Sequence, residues 1–218
     1  VQPGVTTGEL DALTRRIIEG MKAKPSFLGY RGYPGAICIS INDEVIHGIP
    51  GRRVVLPGDV VSLDVGVYYK GFHGDSATTV MVGVTDPDVI RLVETTRRAL
   101  DAALAVAKPG VRLSDVSHTV ESIAEAAGCS VVREFVGHGV GRHLHEDPQI
   151  PNYGEPGRGP VLKPGMTLAI EPMVNLGRPE VVVLDDKWTV VTRDGKPSAH
   201  FEHTVAVLEE SVEVLTLA

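Results

Sequence analysis

The stretch Val60-Val61-Ser62-Leu63-Asp64-Val65-Gly66-Val67-Tyr68-Tyr69-Lys70-Gly71-Phe72-His73-Gly74-Asp75-Ser76-Ala77-Thr78-Thr79-Val80 reads as a β-hairpin. β-branched and aromatic residues dominate both arms, and Lys70-Gly71 between them suits a two-residue turn. Pairing Tyr69 with Phe72 sets the register, so that Asp64 lies opposite Ala77 and Asp75 opposite Gly66. The two aspartates are then diagonal neighbours on one face, roughly 7–8 Å apart at the backbone and closer at the carboxylates. Unpaired charges in apolar strands are costly, so a cation is expected between them. Gly66 opposite Asp75 suits close approach of a ligand or of another backbone.

Outward from the hairpin, the chain repeats itself. Pro3-Gly4-Val5-Thr6-Thr7-Gly8-Glu9-Leu10 resembles Pro109-Gly110-Val111-Arg112-Leu113-Ser114-Asp115-Val116 at an offset of 106. Each is a Pro-Gly turn, an N-cap candidate (Thr7 or Ser114) and an amphipathic run, so both predict helices. Leu10, Leu13, Ile17 and Met21 share one face of the first; Val116, Val120, Ile123 and Ala127 share one face of the second. Strand-like segments follow in both halves, at 60–67 and 72–82 in the first and at 167–174 and 199–208 in the second. A helical stretch at about 86–107 precedes the second repeat and has no counterpart before Pro3. Duplication therefore predicts a helix upstream of Val1, and the start at Val1 rather than Met fits a missing segment. Its loss is expected to lower stability without touching the acidic residues.

Composition bounds the function. The 218 residues carry 21 Lys+Arg against 28 Asp+Glu, a formal charge of −7, which argues against a partner held through nucleic-acid phosphates. The 43% apolar content is that of a globular protein. No apolar run approaches the roughly 18 residues of a membrane span. Cys38 and Cys129 read as reduced thiols of a cytoplasmic protein.

The second half offers pieces that match the hairpin acids. Gly137-His138-Gly139-Val140-Gly141-Arg142-His143-Leu144-His145-Glu146 sets histidines among glycines, Thr167-Leu168-Ala169-Ile170-Glu171-Pro172 ends a strand in a carboxylate, and Ser198-Ala199-His200-Phe201-Glu202-His203-Thr204 carries another acid within a strand. Four strand acids and one histidine make a set of hard oxygen donors, unlike structural zinc sites. Four negative charges balance two divalent ions better than one. Two such ions can share a water and make it a nucleophile near neutral pH.

Together with His47 in Asn42-Asp43-Glu44-Val45-Ile46-His47-Gly48-Ile49-Pro50, these segments resemble the motif set of the type I methionine aminopeptidases, over nearly the whole chain. The resemblance implies the α/β (α+β) pita-bread fold, in which duplicated halves related by a pseudo-twofold axis form a curved antiparallel sheet flanked by helices. It implies one catalytic domain over 1–218, with halves at about 1–85 and 86–218. Asp64 would bind one metal, Asp75 and Glu202 would bridge both, and His138 and Glu171 would complete the second. The implied activity is removal of the N-terminal methionine of nascent polypeptides, by attack of a metal-bridging hydroxide on the first peptide bond. Glu171 would accept the proton, His145 would bond the carbonyl oxygen, and His47 would hold or protonate the scissile nitrogen. The metals would be Co, Mn, Fe or Zn, and Asn42, Glu44 and Ser198 fall where some members bind a monovalent cation. A monomer, with transient ribosome contact and neither a membrane nor a specific nucleic-acid partner, is expected.

The methionine pocket of that family is apolar, and Phe27, Tyr30, Tyr33, Cys38, Leu144 and Trp188 resemble it. Phe27 and Leu144 depart from a common Cys and Phe there. Two other functions compete. Prolidases and aminopeptidases P share the ligands but usually have Glu-Pro-Gly and an acid after the last glutamate, where this chain has Glu171-Pro172-Met173 and Glu202-His203. A non-catalytic binding module of the same fold would tend to lose ligands.

Overall fold

The computed structural model describes residues 1–217. Three helices, α1 (Thr7–Gly20), α2 (Pro87–Val106) and α3 (Leu113–Ala126), pack around antiparallel sheets. The main sheet has nine strands. Along its length run Lys24–Pro25, Val60–Tyr69, Phe72–Met81, Glu202–Val207, Thr167–Ile170, Gly137–Gly139 and Glu146–Ile150, with Cys38–Ile41 beside the second and Val212–Val214 beside the fourth. Two three-stranded sheets flank it. One joins Ser198–His200, Met173–Asn175 and Ser130–Val131; the other joins Val181–Val183, Val190–Thr192 and Glu44–Ile46.

The hairpin adopts the expected register: Tyr69 pairs with Phe72, Asp64 with Ala77 and Gly66 with Asp75. Lys70 and Gly71 both have positive φ, 47° and 96°, as a tight turn matching the strand twist requires. Gly66 serves a close approach. A Cβ there would sit 2.5 Å from the Phe27 ring, and Ser26 N–H donates to its carbonyl at 2.8 Å.

The repeat is visible in the hydrogen bonds. Helices α1 and α3 are each 14 residues long and begin 106 residues apart. Gly4 N–H donates to Val55 O and Gly110 N–H to Leu162 O, both at 2.9 Å. Two details differ from the sequence reading. The N-caps are Thr6 and Arg112, one residue before Thr7 and two before Ser114. The expected caps have other work: Thr7 Oγ1 accepts from Gly51 N–H at 2.8 Å, and Ser114 Oγ accepts from Arg158 N–H at 2.6 Å, tying each helix to the adjoining segment. The second-half strands are also broken. The 167–174 run stops at Ile170 and resumes at Met173 in another sheet, and the 199–208 run divides at Phe201. Pro172 has no N–H to continue a ladder, and its carbonyl takes Phe201 N–H at 3.3 Å, so both strands change sheets at one level. Glu171 and Glu202 sit at that level.

Candidate active site

Strand parity brings the acids together. Side chains two residues apart share a face, and directly paired residues share it too. Asp64 pairs with Ala77, Ala77 with Glu202, and Asp75 is two residues from Ala77. His138 pairs with Ala169, Ala169 with Thr204, and Glu171 lies two residues past Ala169. All five side chains therefore lie on one face of one sheet. Thr204 locks the seam between the halves: its Oγ1 accepts from Asp75 N–H at 2.9 Å and donates to Asp75 O at 2.7 Å.

The cluster is buried and lacks internal neutralisation. Asp75 is 4% exposed and Glu202 2%. Asp64 Oδ1, Asp75 Oδ1 and Glu202 Oε1 are shut from solvent with no hydrogen-bond partner. Orphaned carboxylate oxygens of this kind are costly, and a bound cation is the simplest remedy. Ligand atoms of Asp75, His138 and Glu202 all lie within 4.8 Å of one another. His138 Nδ1 is 2.8 Å from Gly139 O, so donation there leaves Nε2 bare and free to coordinate. The donor set fits divalent metal ions.

Without a cation, burial disfavours ionisation of the carboxylates. Burial, then the neighbouring Asp75 charge, pushes Asp64, Glu171 and Glu202 well above the ordinary carboxylate range. Burial raises Asp75 to about 7 against the opposing Ser76 N–H bond. Histidines move the other way. Burial lowers His47 to about 4, and burial together with the adjacent His138 lowers His145.

A cavity of about 370 Å³ opens beside the cluster, lined by every residue the sequence singled out as metal ligand, catalytic histidine or methionine pocket, but not by Asn42, Glu44 or Ser198. Phe27, Tyr33, Cys38 and Leu144 form its buried apolar wall, with Tyr30, Ile49 and Trp188 packed against them. Tyr33 meets Trp188 edge to face at 5.0 Å, and its hydroxyl donates to Gly48 O at 2.9 Å. Burial lifts the Cys38 thiol far above its usual range, leaving it an inert wall. His47 ends the strand Glu44–Ile46 at φ 60°, a left-handed conformation unusual for a side chain larger than glycine. Phe135 and Trp188 pack edge-on to it at 5.8 and 6.1 Å. The His145 ring lies tilted against His138, 4.3 Å between centroids, with Nδ1 2.9 Å from Tyr30 Oη.

The cavity also takes in Arg31, Ile46, Glu134, Phe135, Val136 and Gln149, which the sequence reading missed. Arg31 carries a signal in retrospect, since it lies between the pocket candidates Tyr30 and Tyr33; the 134–136 segment is an unpatterned loop and carries none. His200 lies behind Glu171, its Nε2 3.6 Å from Glu171 Oε2. Asn42 and Ser198 meet through a Ser198 N–H bond to Asn42 O at 2.9 Å, while Glu44 pairs with Arg53 at 2.6 Å.

The sequence matches Metallopeptidase family M24 over residues 1–209. It is 54% identical to methionine aminopeptidase 1 of Bacillus subtilis, covering 99% of this chain and 87% of that protein. It is 51% identical to a methionine aminopeptidase of Clostridium perfringens, covering 100% and 87%. The crystal structure of a methionine aminopeptidase from Thermotoga maritima superposes with a TM-score of 0.98 at 51% identity, covering 100% of this chain and 88% of that one. With matches of this extent, the chain belongs to metallopeptidase family M24 and, within it, to the methionine aminopeptidases.

Proposed function

We propose that the protein removes the N-terminal methionine of nascent polypeptides, with Asp64, Asp75, His138, Glu171 and Glu202 holding two divalent ions. The observation that carries this reading is the set of orphaned carboxylate oxygens beside an apolar cavity of side-chain size. Two divalent ions bound there supply Lewis acidity toward a carbonyl oxygen and lower the pKa of water. Asp64 would serve one ion, His138 and Glu171 the other, with Asp75 and Glu202 between them. Co, Mn, Fe and Zn all suit carboxylate and imidazole donors. A monovalent cation near Asn42, Glu44 and Ser198 belongs to the same proposal, as do a single domain with halves at about 1–85 and 86–218, a cytoplasmic monomer and transient contact with the ribosome.

The chain's own groups position the substrate. Phe27, Tyr30, Tyr33, Cys38, Leu144 and Trp188 enclose the methionine side chain, whose burial is worth roughly 1.5–3 kcal/mol. An unbranched thioether adapts to such a wall, whereas a charged side chain would be desolvated without a partner. His47 holds the scissile nitrogen at the cavity edge. Tyr30 Oη lies 2.9 Å from His145 Nδ1, and with Tyr30 as donor His145 would carry its proton on Nε2 and donate it to the carbonyl oxygen as charge develops there. Glu171 would accept the proton from the attacking water, being the carboxylate that faces the cavity beside His138.

A peptide panel tests the reading. With Mn, Co or Fe added, Met-Ala-Ser is cleaved after Met while Ala-Pro peptides are untouched. Cleavage of the proline peptides would point to a prolidase-like activity, and no turnover with any metal would point to a binding module.

A further inference from the structure

Behind Glu171 lies a titratable group for which the mechanism above has no use. His200 is 2% exposed, and its Nε2 has no hydrogen-bond partner. Its placement is nevertheless firmly set. Thr79 Oγ1 donates to His200 O at 2.7 Å and accepts from His200 N–H at 2.9 Å, so one side chain of the first-half hairpin grips both backbone groups. Since the Thr79 proton is committed to that carbonyl, Ser62 Oγ, 2.8 Å away, must be the donor to Thr79. The resulting chain from Ser62 through Thr79 fixes the His200 backbone, and from there the buried ring reaches Glu171.

Glu171 is contacted on three sides. His200 Nε2 stands 3.6 Å from Oε2, His138 Nε2 stands 3.5 Å from Oε1, and Asn152 Nδ2 donates to the backbone carbonyl at 3.0 Å. A carboxylate whose two oxygens face different imidazoles is asymmetric. His138 needs its Nε2 bare to coordinate, because its Nδ1–H is spent on Gly139 O. His200 has no such claim on its Nε2, and Glu171 Oε2 is the acceptor toward which it is aimed.

We propose that His200 is a positioning residue that donates Nε2–H to Glu171 Oε2, so that Oε1, on the His138 side, is the oxygen presented to a divalent cation. This rests on the reading of Glu171 as a ligand. Outer partners of this kind orient ligands and sharpen metal affinity without touching the ion.

Three measurements decide it. In wild-type protein loaded with diamagnetic Zn2+, which keeps Glu171 ionised, long-range 1H–15N correlation should show His200 as the Nε2–H tautomer; an Nδ1–H tautomer overturns the proposal. Calorimetric titration with Mn2+ should show H200L binding roughly 10–100-fold more weakly than wild type, with H200Q, which keeps a donor, restored to within about threefold. The same H200L protein should lose kcat on Met-Ala-Ser while KM stays nearly unchanged. Undiminished Mn2+ affinity in H200L, or an equal loss in H200L and H200Q, overturns the proposal. If H200L does not fold, the tautomer and H200Q decide, with H200Q expected to bind as wild type does. Failure of the underlying ligand reading would show separately, as Mn2+ affinity unchanged in Glu171→Gln.

Discussion

Helices α1 and α3 have the same length and the same place in the repeat, yet they live in different surroundings. On α3, Leu113, Val116 and Val120 are buried in the largest apolar cluster, against α2 residues such as Leu92 and Leu100. On α1, Ile18 is buried, but Leu13, Ile17 and Met21 are 44%, 49% and 66% exposed. Both helices carry the same apolar period, so local pattern does not explain the contrast. The helix α2 does: it gives α3 a second face to bury against, and no described residue does this for α1. Amphipathic spacing fixes which side of a helix is apolar, and only the tertiary neighbour fixes whether that side is covered. The site shows the opposite relation. Asp64 and Glu171 stand 107 residues apart in sequence, each half supplies two acids, and the two halves meet as equals across Thr204 and Asp75.

The largest effect should come from breaking that equality. Glu202→Gln removes one acid at the seam and should abolish loading of two metals, with activity on Met-Ala-Ser falling by more than the roughly 100-fold that loss of a supporting residue costs. Metal analysis showing two ions still bound would refute the ligand assignment.

The helical contrast can be tested by paired truncations. Leu113→Ala on α3, at 4% exposed, should cost about 2–5 kcal/mol in denaturant melts. Ile17→Ala should stay within about 0.5 kcal/mol. Equal costs would mean that α1 is covered in solution, and the contrast between the halves would disappear.

A smaller effect separates the acids from the histidines by pH. In chelator-treated protein the raised carboxylates hold more protons folded than unfolded, so they stabilise below their unfolded pKa and lose that stabilisation as pH rises through the folded value, about 7 for Asp75. His47 and His200, lowered to about 4 and about 3, act oppositely, but only below pH 6.5, where the unfolded chain binds their protons. The two effects oppose each other between about pH 4 and 6.5. Above that, only the carboxylates remain, and metal-free stability should fall from pH 6.5 to 8 by of order 1 kcal/mol per pH unit. Added Mn2+ should remove the slope. A metal-free melting temperature that rises over this range would contradict the cluster's protonation. Asp64→Asn and Glu171→Gln should each lessen the slope, by similar amounts if the halves are equivalent.

Much of this was legible in the sequence because it depends on short-range rules. The Asp64 and Asp75 register follows from a two-residue turn and period-two alternation, and it was readable to the residue. The proposed metal-ligand positions on strands fall on one sheet face for the same reason, with Glu171 just past the end of Thr167–Ile170. What escaped depends on distant partners. Thr7 and Ser114 look like caps, but Gly51 and Arg158 claim their hydroxyls. The strand break at Glu171-Pro172 is signalled by the proline, whereas the matching break at Phe201 follows only from its bond to the Pro172 carbonyl. His200 was visible as a residue, yet its aim at Glu171 arises from that same break, which has no local signature. Phe135 and Gln149 reach the cavity from segments whose composition marks them as nothing unusual.

The central claim is that acids from both halves converge to hold two metal ions beside the methionine cavity. Anomalous diffraction from crystals soaked in Mn2+ tests it most directly. Two peaks among Asp64, Asp75, His138, Glu171 and Glu202, with Asp75 and Glu202 touching both, are the predicted result; no peak there, or peaks confined to the carboxylates of one half, would contradict it.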